Sequence, residues 1–215
     1  MPIAIIWGCV ALAFGLTALM MFIMTIISVV RDSKLFEDVI PTSTIPRESA
    51  VFTSFANEKI RGNPDEVFAA VLDFDAYPTW SPYTDYKWRE TDADGLPVPG
   101  CPGTLRLTVD DSVSRTIPVR LTALDRERRI ISEITTLYPK WLLVSERVQE
   151  VLPIQGESEF CEYRTYFTYQ GFAAYYLLLA TREEMYEIQK QCASDLRYLF
   201  EEKIRVKGLK RFRTM

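Results

Sequence analysis

The chain has 215 residues, of which 48% are hydrophobic and 25% charged, with a formal net charge of −4. These values indicate a globular domain with an appendage, and they argue against disorder and against nucleic-acid binding. No histidine is present, so any acid–base chemistry must use carboxylates, tyrosine, lysine or cysteine. The four cysteines are far apart and form no CxxC pair. We therefore expect free thiols and no metal. The sequence has no phosphate loop and no dinucleotide fingerprint, so we expect no cofactor either.

An uncharged apolar run extends from Ile3 to Val30. At about 1.5 Å per helical residue it can cross a hydrocarbon layer of roughly 30 Å, which predicts a transmembrane anchor over residues 1–31. A cleaved signal peptide is the alternative, but the run is long for one and no clear cleavage site follows. Arg31 and Lys34 lie just after the run. The positive-inside rule then predicts a single-pass protein of the endoplasmic reticulum or another endomembrane, with its soluble domain in the cytosol.

The remaining chain divides into three parts. Residues 32–49 contain Pro41, Pro46 and a Thr-Ser-Thr run, and we interpret them as a linker. Residues 50–205 form the predicted soluble domain, and residues 206–215 form a basic tail. The cations of the tail suit either an anionic membrane surface or a solvated helix end.

A short helix and an aromatic elbow follow the first predicted strand. Asn63 is a suitable N-cap, Pro64 suits the first helical position, and Glu66 completes a capping box. The sequence Tyr-Pro-Thr-Trp-Ser-Pro-Tyr, residues 77–83, then predicts a stiff turn rich in aromatic side chains.

Strand-like segments occupy most of the soluble part. The predicted strands are Ala50–Ile60, Tyr86–Glu90, Thr104–Val109, Arg115–Leu124, Arg129–Leu137, Trp141–Val151 and Ser158–Tyr169. A second capping box at Thr181–Glu184 opens a long helix, which we expect to end near Gly208. This order predicts an α+β fold, with a curved antiparallel β-sheet wrapped around a long C-terminal α-helix and an N-terminal transmembrane helix outside it.

This order, with the Trp80 elbow, the segment Trp141–Pro153 and the closing helix, resembles the START-like, or Bet v 1-like (SRPBCC), superfamily. Within that superfamily, the chain looks similar to the polyketide cyclase and dehydratase branch. The resemblance covers roughly residues 50–202 and implies a helix-grip fold around a deep hydrophobic cavity. It does not name a ligand, because this fold serves carriers, receptors and enzymes alike.

Strand parity indicates which side chains face that cavity. In the last strand Tyr163 and Thr165 lie opposite the charged residues, so we expect them to point inward. Glu133 alternates with apolar residues, and Glu146 shares a face with valines and a leucine, so both are candidate general acids or bases. A register shifted by one residue would instead place Arg147 inside and Glu146 outside. The candidate catalytic residues are Glu146, Glu133, Arg147 and Tyr163.

Aromatic and apolar side chains complete the predicted ligand-binding surface. Its candidate residues are Tyr77, Trp80, Tyr83, Leu107, Tyr138, Trp141, Thr165 and Tyr169. As a set they suit a large, mostly apolar molecule held by a few polar groups. The apolar run Phe172–Ala180 is either a lid, a lip that contacts the membrane, or the start of the packed C-terminal element.

Two functions agree with these features. The first is an enzyme of secondary metabolite biosynthesis that cyclises or dehydrates an apolar intermediate, including by pericyclic ring closure, without a cofactor. The second is a non-catalytic protein that binds or transfers a lipid or sterol. A structural domain with a filled core is a third alternative. In the first two cases we expect a hydrophobic small molecule and the lipid bilayer as partners, and no nucleic acid.

Overall fold

The computed structural model describes residues 12, 15–25, 39–81, 84–110 and 113–213. The chain divides into two units, residues 1–38 and residues 39–215. Most of the predicted span Ile3–Val30 lies outside the described residues, but residues 15–25 are helical and expose large apolar side chains such as Leu16, Met20 and Phe22. No helix within the described ranges is both long enough and apolar enough to cross a membrane.

Seven strands form one antiparallel sheet in the order β1-β7-β6-β5-β4-β3-β2. Each predicted strand is present, with ends that differ by a few residues. The strands are β1 (Ala50–Arg61), β2 (Thr84–Trp88), β3 (Pro102–Asp110), β4 (Val113–Asp125), β5 (Ile130–Thr135), β6 (Val144–Pro153) and β7 (Phe160–Gln170).

The connection between β1 and β2 contains the predicted capped helix, α1 (Pro64–Leu72). Asn63 Oδ1 accepts a hydrogen bond of 2.8 Å from the backbone N–H of Asp65, which confirms the cap. A 3₁₀ turn (Phe74–Ala76) and a four-residue helix, α2 (Tyr77–Trp80), follow. The first four residues of the aromatic elbow are therefore a helical turn that buries Tyr77 and Trp80.

Two helices follow the sheet, α3 (Phe172–Ala180) and α4 (Arg182–Arg213). Helix α4 continues past Gly208, where the sequence predicts its end. It packs against the concave side of the sheet, where Leu196 and Ala193 are fully buried. The curved sheet around one long C-terminal helix confirms the predicted α+β, helix-grip architecture.

The other side of the sheet is covered by the second half of the predicted linker. Val39 and Ile45 are buried, and the backbone of Ile40 exchanges hydrogen bonds with the hydroxyls of Thr53 and Thr168. We call residues 39–45 the strap. Because of the strap, the middle of the sheet is buried on both faces.

Candidate functional site

Three polar side chains from different strands form a buried chain of hydrogen bonds. Arg147 Nη1 on β6 donates to the hydroxyl oxygen of Tyr86 on β2 over 2.8 Å. The Tyr86 hydroxyl in turn donates to Glu133 Oε1 on β5 over 2.6 Å. All three side chains are at most 3% exposed. A guanidinium and a carboxyl group are therefore joined through a phenol inside the domain.

Burial has a large effect on the pKa values of these hydrogen-bonded side chains. Desolvation raises the pKa of Glu133 from 4.5 to about 7, against the opposing effects of the Arg147 charge and the Tyr86 hydrogen bond. Burial lowers the pKa of Arg147, but the neighbouring Tyr86, Cys192, Tyr163 and Glu133 outweigh this effect and hold it well above its usual value. Near neutral pH, Arg147 is a cation and Glu133 exchanges a proton, as a general acid or base must.

A second buried group lies beside this chain. Gln149 Oε1 accepts hydrogen bonds from Tyr163 (2.7 Å) and Tyr77 (3.2 Å). Burial raises the pKa values of both tyrosines, so both remain protonated near neutral pH. Arg147 also contacts Thr165 Oγ1 (3.2 Å) and the Cys192 thiol on α4 (3.1 Å). We call these polar residues, together with Tyr86 and Glu133, the inner cluster.

Two rings of the inner cluster, those of Tyr77 and Tyr86, pack against neighbouring aromatic rings. Ring centroids lie 4.5 Å apart for Tyr77 and Trp80, 5.1 Å for Tyr77 and Tyr86, and 5.4 Å for Phe74 and Tyr86. These rings are therefore in contact in the part of the domain where the sequence predicts a cavity. A cavity of about 280 Å³ lies elsewhere, at the surface near the start of α1, lined by Arg61, Gly62, Asn63, Glu66, Glu159, Phe200 and Lys203.

Glu146 lies on the other face of β6, and the prediction that it faces the cavity is wrong. Its carboxylate is fully buried beneath the strap, where it accepts hydrogen bonds from the hydroxyls of Ser43 (2.8 Å), Thr44 (2.5 Å), Thr122 (2.6 Å) and Thr42. Burial alone would raise its pKa, but these hydrogen bonds outweigh burial and lower it. The apolar neighbours that placed Glu146 inside are valines buried under the strap. The alternative register, with Arg147 inside, is the one observed.

The other predicted catalytic residues, Glu133, Arg147 and Tyr163, are brought together in the inner cluster. Of the predicted ligand-binding residues, Tyr77, Trp80, Thr165 and Tyr169 are buried on the same side of the sheet, and Leu107 packs partly buried against them. Tyr83 lies outside the described residues.

Tyr138 and Trp141 are at the surface, 48% and 71% exposed, and do not line the interior. The Trp141 carbonyl accepts a hydrogen bond of 2.9 Å from the Phe172 N–H, which joins their loop to the start of α3. Together they form an apolar lip, which we define as Leu137, Tyr138, Trp141, Phe172, Tyr176 and Leu179, all 48–71% exposed. The sequence predicts an inward-facing strand position for Trp141, but β6 begins only at Val144 and Trp141 lies in the preceding loop.

Sequence reasoning missed Tyr86 and Gln149. Tyr86 lies on the short strand β2, and the curvature of the sheet determines which interior side chains it contacts. Gln149 lies two residues after Arg147 on the same face of β6, so the alternative register that places Arg147 inside also places Gln149 inside. Within the described ranges, no group of three or more cysteine or acidic side chains is arranged to hold a metal ion.

No family model and no curated protein matches the sequence. Solved structures do match the fold. The aromatase/cyclase ZhuI from Streptomyces sp. R1128 has a TM-score of 0.54 at 14% identity, covering 73% of this chain and 97% of that one. Norcoclaurine synthase from Thalictrum flavum, in complex with dopamine and hydroxybenzaldehyde, has a TM-score of 0.51 at 14% identity, covering 76% and 95%. A protein from Thermus thermophilus has a TM-score of 0.52 at 13% identity, covering 68% and 94%.

These similarities define the class of fold. The structural neighbours are Bet v 1-like and START-like proteins that include polyketide aromatase/cyclases. At such identities the comparison establishes the helix-grip fold and leaves the activity to be inferred from the site.

Proposed function

We propose that this protein binds a hydrophobic small molecule between the sheet and α4, and that it catalyses cyclisation or dehydration of an apolar, carbonyl-bearing intermediate. The observation that carries this proposal is the buried Arg147–Tyr86–Glu133 chain, with the pKa of Glu133 at about 7. A domain that only needed a stable core would gain more from apolar residues at these positions, because buried charges are costly. The fold allows such an activity, since an aromatase/cyclase and norcoclaurine synthase share it.

The proposed chemistry follows from the charges of the hydrogen-bonded residues Arg147, Tyr86 and Glu133. Ionised Glu133, acting directly or through Tyr86, removes a proton from the carbon next to a carbonyl, while Arg147 stabilises the resulting enolate oxygen. The carbon attacks a second carbonyl of the same molecule, forming a carbon–carbon bond and breaking the C=O π bond. The new alkoxide takes the proton back from Glu133. In a dehydration, ionised Glu133 removes a second proton from the carbon next to the carbonyl, and the enolate then expels the neighbouring hydroxyl: a C=C bond forms, the C–O bond breaks, and Glu133 returns the proton so that the hydroxyl leaves as water.

A pericyclic ring closure needs no proton transfer. In that case the aromatic walls restrict the conformers of the substrate, which accelerates ring closure, and Arg147 polarises a carbonyl. Because Tyr77, Trp80 and Tyr86 are in contact, binding requires at least one ring to rotate. Trp80 Nε1 has no hydrogen-bond partner in the described part of the chain, so the Trp80 ring is held by packing alone.

Membrane attachment is a separate part of the proposal. It is supported by the predicted span Ile3–Val30, by the exposed apolar side chains of residues 15–25, and by the apolar lip. Tryptophan and tyrosine favour the membrane interface, and Lys140, exposed between Tyr138 and Trp141, suits anionic headgroups. We propose that the lip contacts the bilayer of an endomembrane from the cytosolic side, where an apolar substrate partitions.

The decisive experiment compares small-molecule extracts of the native host by mass spectrometry with the wild-type gene, without it, and with Glu133→Gln. We expect both altered strains to lose one compound and to accumulate an uncyclised or hydrated precursor. Glu157→Gln, an exposed carboxylate in a surface ion pair with Lys59, is the matched control and should leave the profile unchanged.

The second candidate function, lipid or sterol carriage, would give a different result. Deletion would change the lipid distribution between membranes, and Glu133→Gln would leave all metabolites unchanged. That outcome would remove the catalytic role of Glu133 and retain the binding role.

A further inference from the structure

The inner cluster contains a buried positive charge to which no carboxylate of the described residues is directly hydrogen-bonded. Arg147 is 3% exposed, and its hydrogen-bond partners within the described ranges are the Thr165 and Tyr86 hydroxyls and the Cys192 thiol. Each guanidinium nitrogen donates once, so Nη1 and Nη2 each retain one further N–H. A buried cation is costly unless an opposite charge compensates it.

Other buried donors share this shortage of acceptors. Gln149 is 1% exposed, and its Nε2 has no hydrogen-bond partner among the described residues, although its Oε1 accepts from Tyr77 and Tyr163. Trp80 is 8% exposed, and its Nε1 is likewise unpartnered in the described part of the chain. A buried polar atom without a partner costs free energy that an acceptor would recover.

We infer that the inner cluster binds the oxygen end of an amphiphilic ligand, that this oxygen is anionic, and that Arg147 is its counter-charge. The inference rests on the proposed ligand-binding function and names the ligand class, an apolar body that carries a carboxylate or an enolate. The planar guanidinium suits such an oxygen because two of its N–H groups can donate in parallel. The aromatic rings packed against Tyr77 and Tyr86 then receive the apolar body.

The charge balance of the inner cluster makes anion binding depend on pH. On its own side of the sheet, Glu133 interacts with Arg147 of β6, Tyr86 of β2 and Tyr77 of α2. Glu146 of β6 acts on it from the opposite face of the sheet. Cys192 of α4 and Tyr163 of β7 interact electrostatically with Arg147, which in turn interacts with Glu133. The phenols remain protonated near neutral pH, so Glu133 and Arg147 determine the charge of the inner cluster.

When Glu133 is protonated, the inner cluster carries the charge of Arg147 alone. When Glu133 ionises, its negative charge competes with that of the ligand. Because the pKa of Glu133 is about 7, we expect affinity for an anion to fall as the pH rises from about 6 to about 8. A neutral ligand of the same shape should show no such fall.

The test uses the full-length chain in a nonionic detergent, titrated calorimetrically with 2-naphthoate and with its neutral analogue 2-naphthalenemethanol. At about pH 6 we expect 2-naphthoate to bind roughly tenfold more tightly, as a charge-assisted hydrogen bond would give. At about pH 8 this preference should shrink, since the ionised Glu133 then repels the anion. Glu133→Gln should keep the preference at both pH values, because the competing charge is gone.

Arg147→Met should abolish the preference for the anion while 2-naphthalenemethanol still binds. Arg164→Gln is the matched control, since Arg164 pairs with Glu162 on the other face of β7, and it should leave both affinities unchanged. If Arg147→Met fails to fold, the wild-type comparison at the two pH values decides the question.

The outcomes separate the two proposals. Equal binding of both compounds by the wild type, or a preference that survives Arg147→Met, would overturn the anion inference and leave ligand binding intact. If neither compound binds at either pH, ligand binding itself fails and the anion inference fails with it.

Discussion

The hydroxyl of Tyr86 on β2 lies 2.6 Å from the carboxyl oxygen of Glu133 on β5, although two strands separate β2 and β5 in the sheet. At about 4.8 Å per strand, a flat sheet would hold β2 and β5 about 14 Å apart. The contact therefore depends on the curvature of the sheet around α4. It places a phenol between a carboxyl group and the Arg147 guanidinium, and it joins the two halves of the sheet through polar side chains.

Glu133 makes stability depend on pH. Its pKa in the folded state, about 7, is above the ordinary value of 4.5. The folded protein therefore binds the proton more tightly, and the stabilisation present below pH 4.5 is lost as the pH rises through 7. Relative to Glu133→Gln, the wild type should lose about 3 kcal/mol of unfolding free energy between about pH 4.5 and about pH 8. Urea unfolding of both proteins across this range measures it, and a constant difference between them would contradict the burial of the charge.

Tyr86→Phe should move the titration of Glu133 to higher pH. The Tyr86 hydroxyl donates to the ionised carboxylate and so lowers its pKa. Without that hydroxyl the charged form loses a hydrogen bond, and the midpoint of the pH dependence of stability should rise above 7. Tyr166→Phe is the control, because Tyr166 lies half-buried beside Phe55 on the opposite face of β7. A midpoint that does not move in Tyr86→Phe would show that the hydroxyl does not interact with Glu133 in solution.

Glu146→Ala should release the strap and destabilise the domain by about 3 kcal/mol, because three strap hydroxyls and that of Thr122, which are partly buried or exposed, lose their shared charged acceptor. The pKa of Glu146 is lowered, so its contribution is present above the ordinary pKa and is lost as the pH falls through the folded value. Hydrogen exchange at the Thr44 N–H, which donates to Glu146 over 3.0 Å, should accelerate. Glu157→Gln, a surface carboxylate, should change stability by less than about 1 kcal/mol. Unchanged exchange at Thr44 in Glu146→Ala would mean that the apolar contacts of the strap and the Ile40 backbone hydrogen bonds hold it without Glu146.

Trp141 should report contact between the apolar lip and lipid. In vesicles with brominated lipids, we expect the tryptophan fluorescence of the full-length chain to be quenched, and Trp141→Phe to remove part of that quenching. Trp80→Phe, at a buried tryptophan, should leave the quenched intensity unchanged. Trp141 is 71% exposed, so its replacement should alter stability by less than about 0.5 kcal/mol. Equal quenching with and without Trp141 would place the lip away from the bilayer.

The sequence by itself determined the elements whose signals are local. The Asn63 cap, the alternation of the strands and the apolar stripe of the long helix predicted the α+β order. In β7, charged Glu162 and Arg164 opposite Tyr163 and Thr165 were enough to assign the inner face, because charge on one face requires solvent or partners there.

Only the tertiary structure decided the orientation of β6. The alternation of polar and apolar residues identifies the inner face of a strand only when the other face is exposed to solvent. Strand β6 is covered by α4 on one face and by the strap on the other, and residues 144–149 are all buried. Counting apolar neighbours therefore placed Glu146 inside, whereas the hydroxyls of Thr42, Ser43 and Thr44, about a hundred residues earlier in the chain, hold it outside. The Tyr86–Glu133 contact had no sequence signal either, since it depends on the curvature of the assembled sheet.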